Sequence, residues 1–412
     1  MNFLRPRYLT ALDIGSSKIS CLIAKTASDG TFSIVGQGCT ASAGVKNGVI
    51  DDKEKAYSAI KDAVLMAERQ SDIQIENVIV NVSSPQMKST YATAELSITD
   101  NRAITSSDIK KLIDTATESV SLEGMEVLHK LPVSYKIDER EDVSNPVGLH
   151  GEKISVKLLI VSVPFSQIQD LNAVLERANL NVMARVATPY ASACSVLTDD
   201  EKQVGTTLLD MGGGTISVAL FGNGFLKYAG MLPIGASLIT QDIAQVLKTP
   251  YANAEWLKTM EGNAFLSPKD TKEKISFVLA GSHAETKIPR SHLISVIIPR
   301  IEEILGFTRS FLREMDNGAH ETEKIVLCGG GSILKGMQEK SSQILRAQIR
   351  LSKPMLPQGV DENENSNWTT FSTCMGLLIY TMNKRIQLES GKQKLFNNGL
   401  LARILKWLIQ NF

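Results

Sequence analysis

The sequence lacks the features that mark membrane-spanning or secreted proteins. It contains no run of about 20 apolar residues, so we expect no transmembrane helix. Residues 1–8 carry two arginines but are not followed by the apolar segment of a signal peptide, because residues 9–14 already have the pattern of a strand. These absences predict a protein of the cytoplasm.

Cysteine pairs and an excess of charge are also missing. The five cysteines include no C-x-x-C pair, which argues against disulfide or zinc spacing and favours small buried residues in a reducing compartment. Lys plus Arg and Asp plus Glu number 44 each, so the overall charge gives no reason to expect binding to nucleic acid.

A pattern of strands joined by tight turns occurs twice in the chain. The first unit has three strands between Tyr8 and Cys39, followed by a helix from Asp51 and a strand at Asn77–Val82. A similar strand, glycine-rich turn and strand cover Leu208–Leu220, about 195 residues further on. This repetition suggests a duplicated architecture, although the two units differ too much in sequence to prove it.

The segment between the two units has a different character. Residues 84–160 combine a polar strand, a helix capped near Thr105 or Ser106, and an apolar strand at Val156–Val163. We interpret this segment as a small α+β insert.

The rest of the chain is predicted to be mainly helical. Residues 236–312 have helical patterns, Ile325–Cys328 is predicted to be one more buried strand, and Cys374–Met382 the last core helix. The acidic, Asn-rich segment Gly359–Asn367 is predicted to be a surface loop, and the polar Lys384–Asn398 a linker.

The first motif with chemical content follows the first strand. Asp13 ends that strand, and the turn after it contains Gly15, Ser16, Ser17 and Lys18. Backbone N–H groups and hydroxyls of such a turn can face a phosphate, and Lys18 can add a positive charge. Since a carboxylate repels phosphate, Asp13 is predicted to be an outer ligand of a magnesium ion. Alone, the motif is weak evidence for a phosphate site, because D-x-G at the end of a strand fits an ordinary turn better.

Two further strands end in glycine runs. Asp210 precedes Gly212–Gly214 and Thr215, whereas Cys328 precedes Gly329–Gly331 and a predicted helix. Three consecutive glycines are costly in conformational entropy and suit a backbone that bends sharply or approaches a ligand. The free N–H groups at the start of the predicted helix would favour an anion. Neither run fits the dinucleotide-binding G-x-G-x-x-G pattern, and the chain has no P-loop.

The order of the three motifs carries more information than any of them alone. A strand ending in D-x-G, a later one ending in D-x-G-G-G and a last one ending in G-G-G resemble the actin/Hsp70/hexokinase superfamily over residues 8–382. This resemblance implies an α/β, actin-like ATPase fold with two facing RNase H-like domains. It also implies that ATP is the nucleotide and that Asp13 and Asp210 hold Mg²⁺.

The resemblance also implies an adenosine-binding helix of the form A-E-x-x-K, which Ala254–Lys258 matches. Glu255 and Lys258 lie three residues apart, so without the family a solvent-exposed salt bridge would explain them equally well. The implied nucleotide-binding residues are Asp13, Gly15, Ser16, Ser17, Lys18, Asp210, Gly212, Gly213, Gly214, Thr215, Glu255, Lys258, Gly329, Gly330, Gly331 and Leu334.

Several stretches are similar to one family of this superfamily, the bacterial cell-division protein FtsA. They are Gly44–Asp51, Leu128–Tyr135, Asn145–Gly151, Thr240–Ala244 and Cys374–Leu378. The similarity implies that an inserted α+β subdomain, 1C, takes the place of actin subdomain 1B. It further implies a filament on the cytoplasmic face of the inner membrane at the division site, which binds FtsZ through subdomain 2B and other division proteins through 1C.

The resemblance also divides the chain into subdomains. The predicted boundaries are 1–83, 163–194 and 358–383 for subdomain 1A, 84–162 for 1C, 195–226 and 303–357 for 2A, 227–302 for 2B, 384–398 for a linker and 399–412 for a terminal helix.

One position departs from the pattern of the wider superfamily. Many relatives have Glu or Gln near the entry of a second-domain helix, where it positions the attacking water, but the matching position here is Thr188. A threonine hydroxyl cannot act as a base near pH 7. We therefore predict nucleotide binding with slow or negligible hydrolysis, and we assign no catalytic residue.

The last segment, residues 399–412, has the pattern of an amphipathic helix. On a helical wheel its apolar residues share one half, and the charges on the opposite arc are all positive. A cationic arc, a wide apolar face and a tryptophan at its edge are typical of helices that lie in the headgroup layer of a membrane. A helix docked onto its own domain or onto a partner is the alternative. The predicted membrane-binding residues are Leu400, Leu401, Arg403, Ile404, Leu405, Lys406, Trp407, Leu408 and Phe412.

Three other functions fit parts of the sequence. A sugar or acetate kinase of the same superfamily would need an acidic base near the phosphates, and no convincing candidate is present. An Hsp70-type chaperone would need a β-rich peptide-binding domain after the ATPase. A pilus-assembly relative of FtsA shares the insert but is not expected to have a membrane-seeking tail.

Overall fold

The computed structural model describes residues 7–27, 31–100, 102–282, 285–315, 323–356 and 368–383. In these parts the strands are β1 (Arg7–Ile14), β2 (Lys18–Thr26), β3 (Phe32–Ala41), β4 (Val45–Lys46), β5 (Val49–Ile50), β6 (Asn77–Val82), β7 (Lys88–Ser97), β8 (Met125–Ile137), β9 (Arg140–Val143), β10 (Lys153–Pro164), β11 (Asn181–Ala187), β12 (Thr206–Met211), β13 (Ile216–Gly222), β14 (Phe225–Leu232), β15 (Lys274–Val278), β16 (Glu285–Pro289), β17 (Lys324–Cys328) and β18 (Gln348–Leu351).

Helices alternate with these strands. They are α1 (Lys53–Ser71), α2 (Ser106–Glu118), α3 (Phe165–Arg177), α4 (Thr188–Val196), α5 (Asp199–Val204), α6 (Ser237–Leu247), α7 (Tyr251–Glu261), α8 (Arg290–Met315), α9 (Met337–Leu345) and α10 (372–383). Short 3-10 turns cover Gly330–Ile333 and Trp368–Phe371. None of the helices in the described part of the chain is long and apolar enough to cross a membrane.

Two five-stranded sheets share one topology, which confirms the predicted duplication. The first has the strand order β11-β6-β1-β2-β3, and the second β14-β13-β12-β17-β18. In each sheet a three-stranded antiparallel meander is extended by two parallel strands. The central strands are buried on both faces, which explains why β12 is an unbroken apolar and small-polar run.

Glycines allow a helix to lie very close to the first sheet. Residues Ala56, Ile60 and Ala63 of α1 face β2 and β3 and are fully buried. A Cβ on Gly38 of β3 would lie only 1.9 Å from the carbonyl oxygen of Ala63. The helix begins at Lys53 rather than at Asp51, because the Asp52 side chain caps it by accepting hydrogen bonds from the backbone N–H groups of Glu54 and Lys55.

The predicted α+β insert forms a layer of its own. Its sheet has the order β7-β10-β8-β9, and α2 covers one face through a separate apolar cluster that includes Leu112, Ile137 and Leu158. Helix α2 begins at the predicted place: Thr105 and Asp108 form a reciprocal capping box. The insert also contacts the second domain, because the Tyr91 hydroxyl donates to the Lys227 carbonyl oxygen at 2.6 Å.

The structure corrects the sequence analysis at three places. The stretch 236–312, predicted to be mostly helical, also contains the hairpin β15–β16, whose short strand Lys274–Val278 alternates buried and less buried side chains. The strands β11 and β14 were not predicted. The helix expected after Gly329–Gly331 is only a four-residue 3-10 turn, so it offers no extended helix N-terminus to an anion.

Helix α10 returns to the first domain, where its residues Cys374, Met375 and Leu378 join the core beneath β1 and β2. The predicted surface loop Gly359–Asn367, the linker 384–398 and the terminal helix 399–412 lie outside the described residues.

The contact between α10 and α4 gives a test of the packing. A Cβ on Gly376 would lie 1.8 Å from the Ala191 carbonyl oxygen, whereas one on Gly306, in the interior of α8, would meet nothing within 4 Å. We predict that Gly376→Ala lowers the free energy of unfolding by roughly 2–4 kcal/mol. The matched control Gly306→Ala should raise it by about 1 kcal/mol, since alanine is the better helix former. Urea unfolding followed by circular dichroism measures both, and equal stability of the two variants would contradict the packing.

Candidate functional site

The residues predicted to bind nucleotide lie around one cleft between the two five-stranded sheets. The cleft has a volume of about 940 Å³, and all sixteen predicted residues line it. That volume lies in the range of sites for ligands of nucleotide size. The structure thus brings the three glycine-bearing turns together around one cleft. That these turns bind a nucleotide stays a prediction.

The first turn joins β1 to β2. The Gly15 N–H donates to the Lys18 carbonyl oxygen at 3.1 Å, which closes a tight loop with Ser16 and Ser17 at its tip. The Ser16 hydroxyl oxygen accepts from the Gly48 N–H at 2.8 Å, so the tip is held from the β4–β5 side. Asp13 lies at the end of β1 and is 7% exposed.

The second turn, between β12 and β13, repeats this geometry. The Gly212 N–H donates to the Thr215 carbonyl oxygen at 2.9 Å, as Gly15 does to Lys18 in the first turn. The carbonyl oxygens of Gly212 and Gly213 accept from N–H groups at the start of α6, at 3.0 and 2.9 Å. The two sheets therefore present equivalent hairpin ends to the cleft.

Direct contact between these two turns explains part of the glycine run. A Cβ on Gly213 would lie 2.6 Å from the Cβ of Ser17, and one on Gly214 would lie 2.7 Å from the Cβ of Ser16. The absence of side chains at Gly213 and Gly214 lets the two turns approach each other directly. The sequence analysis considered a ligand or a sharp bend and did not foresee this contact.

Two carboxylates are buried at this junction. Burial raises the pKa of Asp13 to about 7; the positive charge of Lys18 opposes this shift, and the negative charge of Asp210 adds to it. Burial also raises the pKa of Asp210, against the hydrogen bond from Ser192 and the charge of Lys18. Burial lowers the pKa of Lys18, and the negative charge of Asp13 opposes this shift. One partly buried cation therefore interacts electrostatically with two buried acids.

The Asp210 side chain is held rigidly. The Ser192 hydroxyl of α4 donates to its Oδ2 at 2.6 Å, and a Cβ on Gly329 would lie 2.3 Å from its Oδ1. Gly329 has a φ of +81°, which a side chain would also disfavour. The first glycine of the third turn is thus required by the approach to Asp210.

The two carboxylates at the cleft suit a magnesium ion that also binds water and phosphate, rather than a metal ion held by protein ligands alone. In the part of the chain that the structure describes, no three His, Cys, Asp or Glu side chains come together as a metal site. Magnesium, however, prefers oxygen ligands, keeps several waters and is commonly held by one or two carboxylates together with substrate phosphates. Asp13 and Asp210 provide two such carboxylates, and burial raises the pKa of both more than the charge of Lys18 lowers it.

Beyond Gly329 the third turn opens toward the cleft. A Cβ on Gly330 would meet no atom within 4 Å, so the protein itself does not require glycine there. Ile333, which is 49% exposed, and Leu334 also line the cleft and give it an apolar side. Tyr251 of α7, which is 50% exposed, adds an aromatic ring to the lining.

Glu255 and Lys258 of α7 are not a solvent-exposed salt bridge. Lys258 is 9% exposed, and its Nζ donates to Glu255 Oε2 at 2.7 Å and to Thr240 Oγ1 at 2.9 Å. The Thr240 hydroxyl donates to the same Glu255 oxygen. This closed triad keeps the carboxylate of Glu255, 44% exposed at its side chain, at the edge of the cleft.

Sequence reasoning missed several polar residues of the cleft. Asn81 is the last residue but one of β6, Ser83 directly follows that strand, and Thr373 lies at the start of α10. A polar residue at the end of an otherwise apolar strand was the available signal for Asn81. The predicted membrane-binding residues, from Leu400 to Phe412, lie outside the described residues, so the structure does not place them.

Comparison with protein families gives two matches. Residues 207–376 match the family model described as cell division protein FtsA, and residues 85–162 match the model of the SHS2 domain inserted in FtsA. The cell division protein FtsA of Agrobacterium fabrum is 30% identical to this chain, and the alignment covers 99% of the chain and 96% of that protein.

Solved structures show the same fold at low sequence identity. A PilM–PilN type IV pilus biogenesis complex aligns with a TM-score of 0.64 at 14% identity, over 91% of this chain and 98% of that one. MreB5 of Spiroplasma citri bound to AMPPNP aligns with a TM-score of 0.54 at 13% identity, over 93% and 99% of the two chains. The chain has an actin-like ATPase fold with an inserted α+β domain, as the sequence analysis predicted.

The raised pKa of Asp13 predicts a pH dependence of stability. Without nucleotide or divalent cation, the folded protein keeps the Asp13 proton up to about pH 7, whereas the unfolded chain loses it near the ordinary value of 3.8. This contribution to stability is therefore complete below about pH 4 and is lost as the pH rises to 7, by roughly 1.4 kcal/mol per pH unit.

Asp13→Asn removes this dependence. In urea unfolding at pH 5, 6, 7 and 8, we predict that the variant gains stability relative to the wild type as the pH rises. Parallel curves for the two proteins would show that the pKa of Asp13 is not raised in the folded state and would contradict the assignment of a buried acid that burial keeps protonated.

Proposed function

The chain belongs to the FtsA family of cell division proteins, and on that premise we propose that it binds ATP with Mg²⁺ in the cleft and links FtsZ to the inner membrane. The observation that carries the nucleotide site is the meeting of two equivalent hairpin turns, each beside a buried carboxylate, with the positive charge of Lys18 acting on both acids. An Mg²⁺ ion with a triphosphate would match these charges, since the cation offsets the acids and the lysine faces the phosphates.

In this proposal the first two turns hold the phosphates. Their backbone N–H groups, the hydroxyls of Ser16 and Ser17 and the ammonium of Lys18 would contact the phosphate oxygens, while Asp13 and Asp210 would hold the magnesium through its waters. Magnesium neutralises phosphate charge when it is bound. The third turn, Leu334 and the pair Glu255 and Lys258 would enclose the adenosine. The bound AMPPNP of the MreB5 structure supports a nucleotide in this fold.

We propose slow or negligible hydrolysis. Phosphoryl transfer to water needs a residue that positions and activates the water. Thr188 occupies the matching wall of the cleft, and its hydroxyl is engaged with Ser83 and Asn81. Nucleotide binding would then serve to set the conformation and assembly of the protein rather than to turn over a metabolite.

The remaining parts of the proposal concern assembly. The terminal helix 399–412 would lie in the headgroup layer, subdomain 2B at residues 227–302 would bind FtsZ, and the insert at 84–162 would contact other division proteins. Filaments of the chain would present many terminal helices together, so that weak membrane contacts add up. The chain would thus act as a peripheral protein of the division site, on the cytoplasmic face of the inner membrane.

A pilus-assembly protein is the second candidate, because the PilM–PilN complex shares the fold. Its identity of 14% shows the fold alone, whereas the FtsA match extends over almost the entire chain. A small-molecule kinase is a third candidate, and ATP consumption that depends on a small substrate would favour it.

The nucleotide site is tested at Gly330. Because a Cβ there meets nothing in the protein, Gly330→Ala should fold normally, yet it would intrude on an adenosine packed over the turn. Overpacking of this kind costs roughly 1–3 kcal/mol, so we predict a loss of ATP affinity of about ten- to hundredfold. Isothermal titration with ATP and Mg²⁺ measures it, with Gly306→Ala as a control that keeps wild-type affinity. Unchanged affinity of Gly330→Ala would remove the third turn from the site.

The membrane link is tested by reconstitution. We predict that the wild-type chain sediments with anionic liposomes and brings FtsZ with it, and that Trp407→Glu abolishes both, since a carboxylate enters the apolar edge of the helix. Gln410→Glu adds the same charge on the polar arc and should retain most binding. Sedimentation of Trp407→Glu at the wild-type level would refute the tether, and liposome binding without FtsZ would favour a pilus-assembly role.

A further inference from the structure

Three polar side chains form a connected group in the wall of the cleft. The Asn81 amide nitrogen donates to Thr188 Oγ1 at 3.2 Å and to Ser83 Oγ at 3.4 Å, and the two hydroxyl oxygens are 2.7 Å apart. Asn81 is 3% exposed and Thr188 is 7% exposed, yet all three line the cleft. The group joins the end of β6 to the start of α4, more than 100 residues away in the chain.

The orientation of the Asn81 amide is fixed by the backbone. The Ile14 N–H donates to Asn81 Oδ1 at 2.8 Å, and since an N–H group can only donate, the amide oxygen must point to it. The amide nitrogen is therefore the atom that faces the two hydroxyls. Both hydroxyl oxygens act as acceptors toward Asn81, which leaves their hydrogens for other partners.

The two hydroxyl groups together have one more hydrogen than the contact between them uses. Ser83 and Thr188 have one hydroxyl hydrogen each, and one of the two is used in the contact between them. Within the described ranges, neither hydroxyl has a further acceptor. Whichever hydroxyl donates to the other, the second keeps one hydrogen without an acceptor in the described part of the chain. Since both hydroxyls line the cleft, that hydrogen can be donated to water there or to an acceptor of a bound ligand.

The group is attached to the first phosphate turn. Ile14, which binds Asn81, directly follows Asp13 in the chain. Ser83 packs against Gly48, because a Cβ on Gly48 would lie 2.5 Å from the Ser83 Cβ, and the Gly48 N–H donates to Ser16 Oγ. Both contacts join the group to the first turn, so the spare donor lies beside a turn that the proposed function assigns to the phosphates.

We propose that Asn81, Ser83 and Thr188 form a relay that donates one hydrogen bond to the terminal phosphate of the bound nucleotide and thereby makes the cleft prefer a nucleoside triphosphate to a diphosphate. This inference rests on the proposed nucleotide site. The relay is a specificity-determining and positioning group rather than a base, because a hydroxyl is not a base near pH 7 and both oxygens already accept a hydrogen bond from Asn81. At this position the relay offers a hydrogen-bond donor, whereas hydrolysis would need a side chain that accepts a proton from the attacking water.

The test compares the affinities for two nucleotides. Isothermal titration with Mg²⁺ would measure the dissociation constants of ADP and of AMPPNP, which is not hydrolysed, for the wild type and for the double variant Ser83→Ala with Thr188→Val. The double variant removes both hydroxyls, so that neither can replace the other. We expect AMPPNP affinity to fall roughly ten- to hundredfold, the usual loss for a hydrogen bond to a charged group, while ADP affinity stays within about twofold.

Thr207→Val is the matched control. Thr207 is fully buried in β12 with a hydroxyl that has no partner, and it does not line the cleft. The same chemical change there should leave both affinities unchanged. Retained ADP binding by the double variant shows in the same experiment that its cleft is folded.

The outcomes separate the relay from the nucleotide site. If the wild type binds both nucleotides and the double variant keeps the wild-type ratio of the two affinities, the relay is overturned and the proposed function stands. Equal loss of both affinities also overturns the relay, since it shows a merely structural role. If the wild type binds neither nucleotide, the proposed function fails and the relay fails with it.

Discussion

Asp13 and Asp210 are buried at the facing ends of two sheets with one lysine, Lys18, to compensate them, and most of the architecture around the cleft follows from that constraint. Burying like charges is costly unless they are paired, neutralised or bound to a cation. A fold that keeps two such acids in place must hold them by other contacts. The hydrogen bond from Ser192 and the close approach of Gly329 do this for Asp210. A bound magnesium ion would offset the negative charge of both carboxylates.

The duplicated topology explains how two acids from distant parts of the chain meet. Each meander begins with a hairpin in which a glycine N–H of the turn donates to the carbonyl oxygen three residues later, and the cleft lies where the two hairpins face each other. The two domains also share one continuous apolar cluster, in which Leu12 and Val80 of one sheet join Leu208 and Phe221 of the other. A ligand held by both hairpins would therefore act on the relative position of two domains that already pack together, which is how a nucleotide could influence assembly.

The sequence predicted the parts of the site that depend on local chemistry. A carboxylate or a glycine run at the end of a strand marks a turn that can be recognised within about eight residues of sequence. All sixteen nucleotide-binding residues predicted in this way or from the family resemblance line the cleft. The relay was missed because it depends on Asn81 and Thr188, which are 107 positions apart and meet only through the packing of α4 against β6. The contact between the two turns, which requires Gly213 and Gly214, is tertiary in the same way. The hairpin β15–β16 was missed because its strands have five residues each and lie among longer helical patterns.

The central claim is that a magnesium triphosphate lies between the two hairpins, with its metal near both acids. A crystal grown with AMPPNP and Mn²⁺ in place of Mg²⁺ tests this most directly, because manganese can be located by its anomalous scattering. The account predicts one anomalous peak between the Asp13 and Asp210 carboxylates, beside phosphates that contact both turns. Nucleotide density elsewhere on the molecule, or manganese bound away from these two residues, would contradict it.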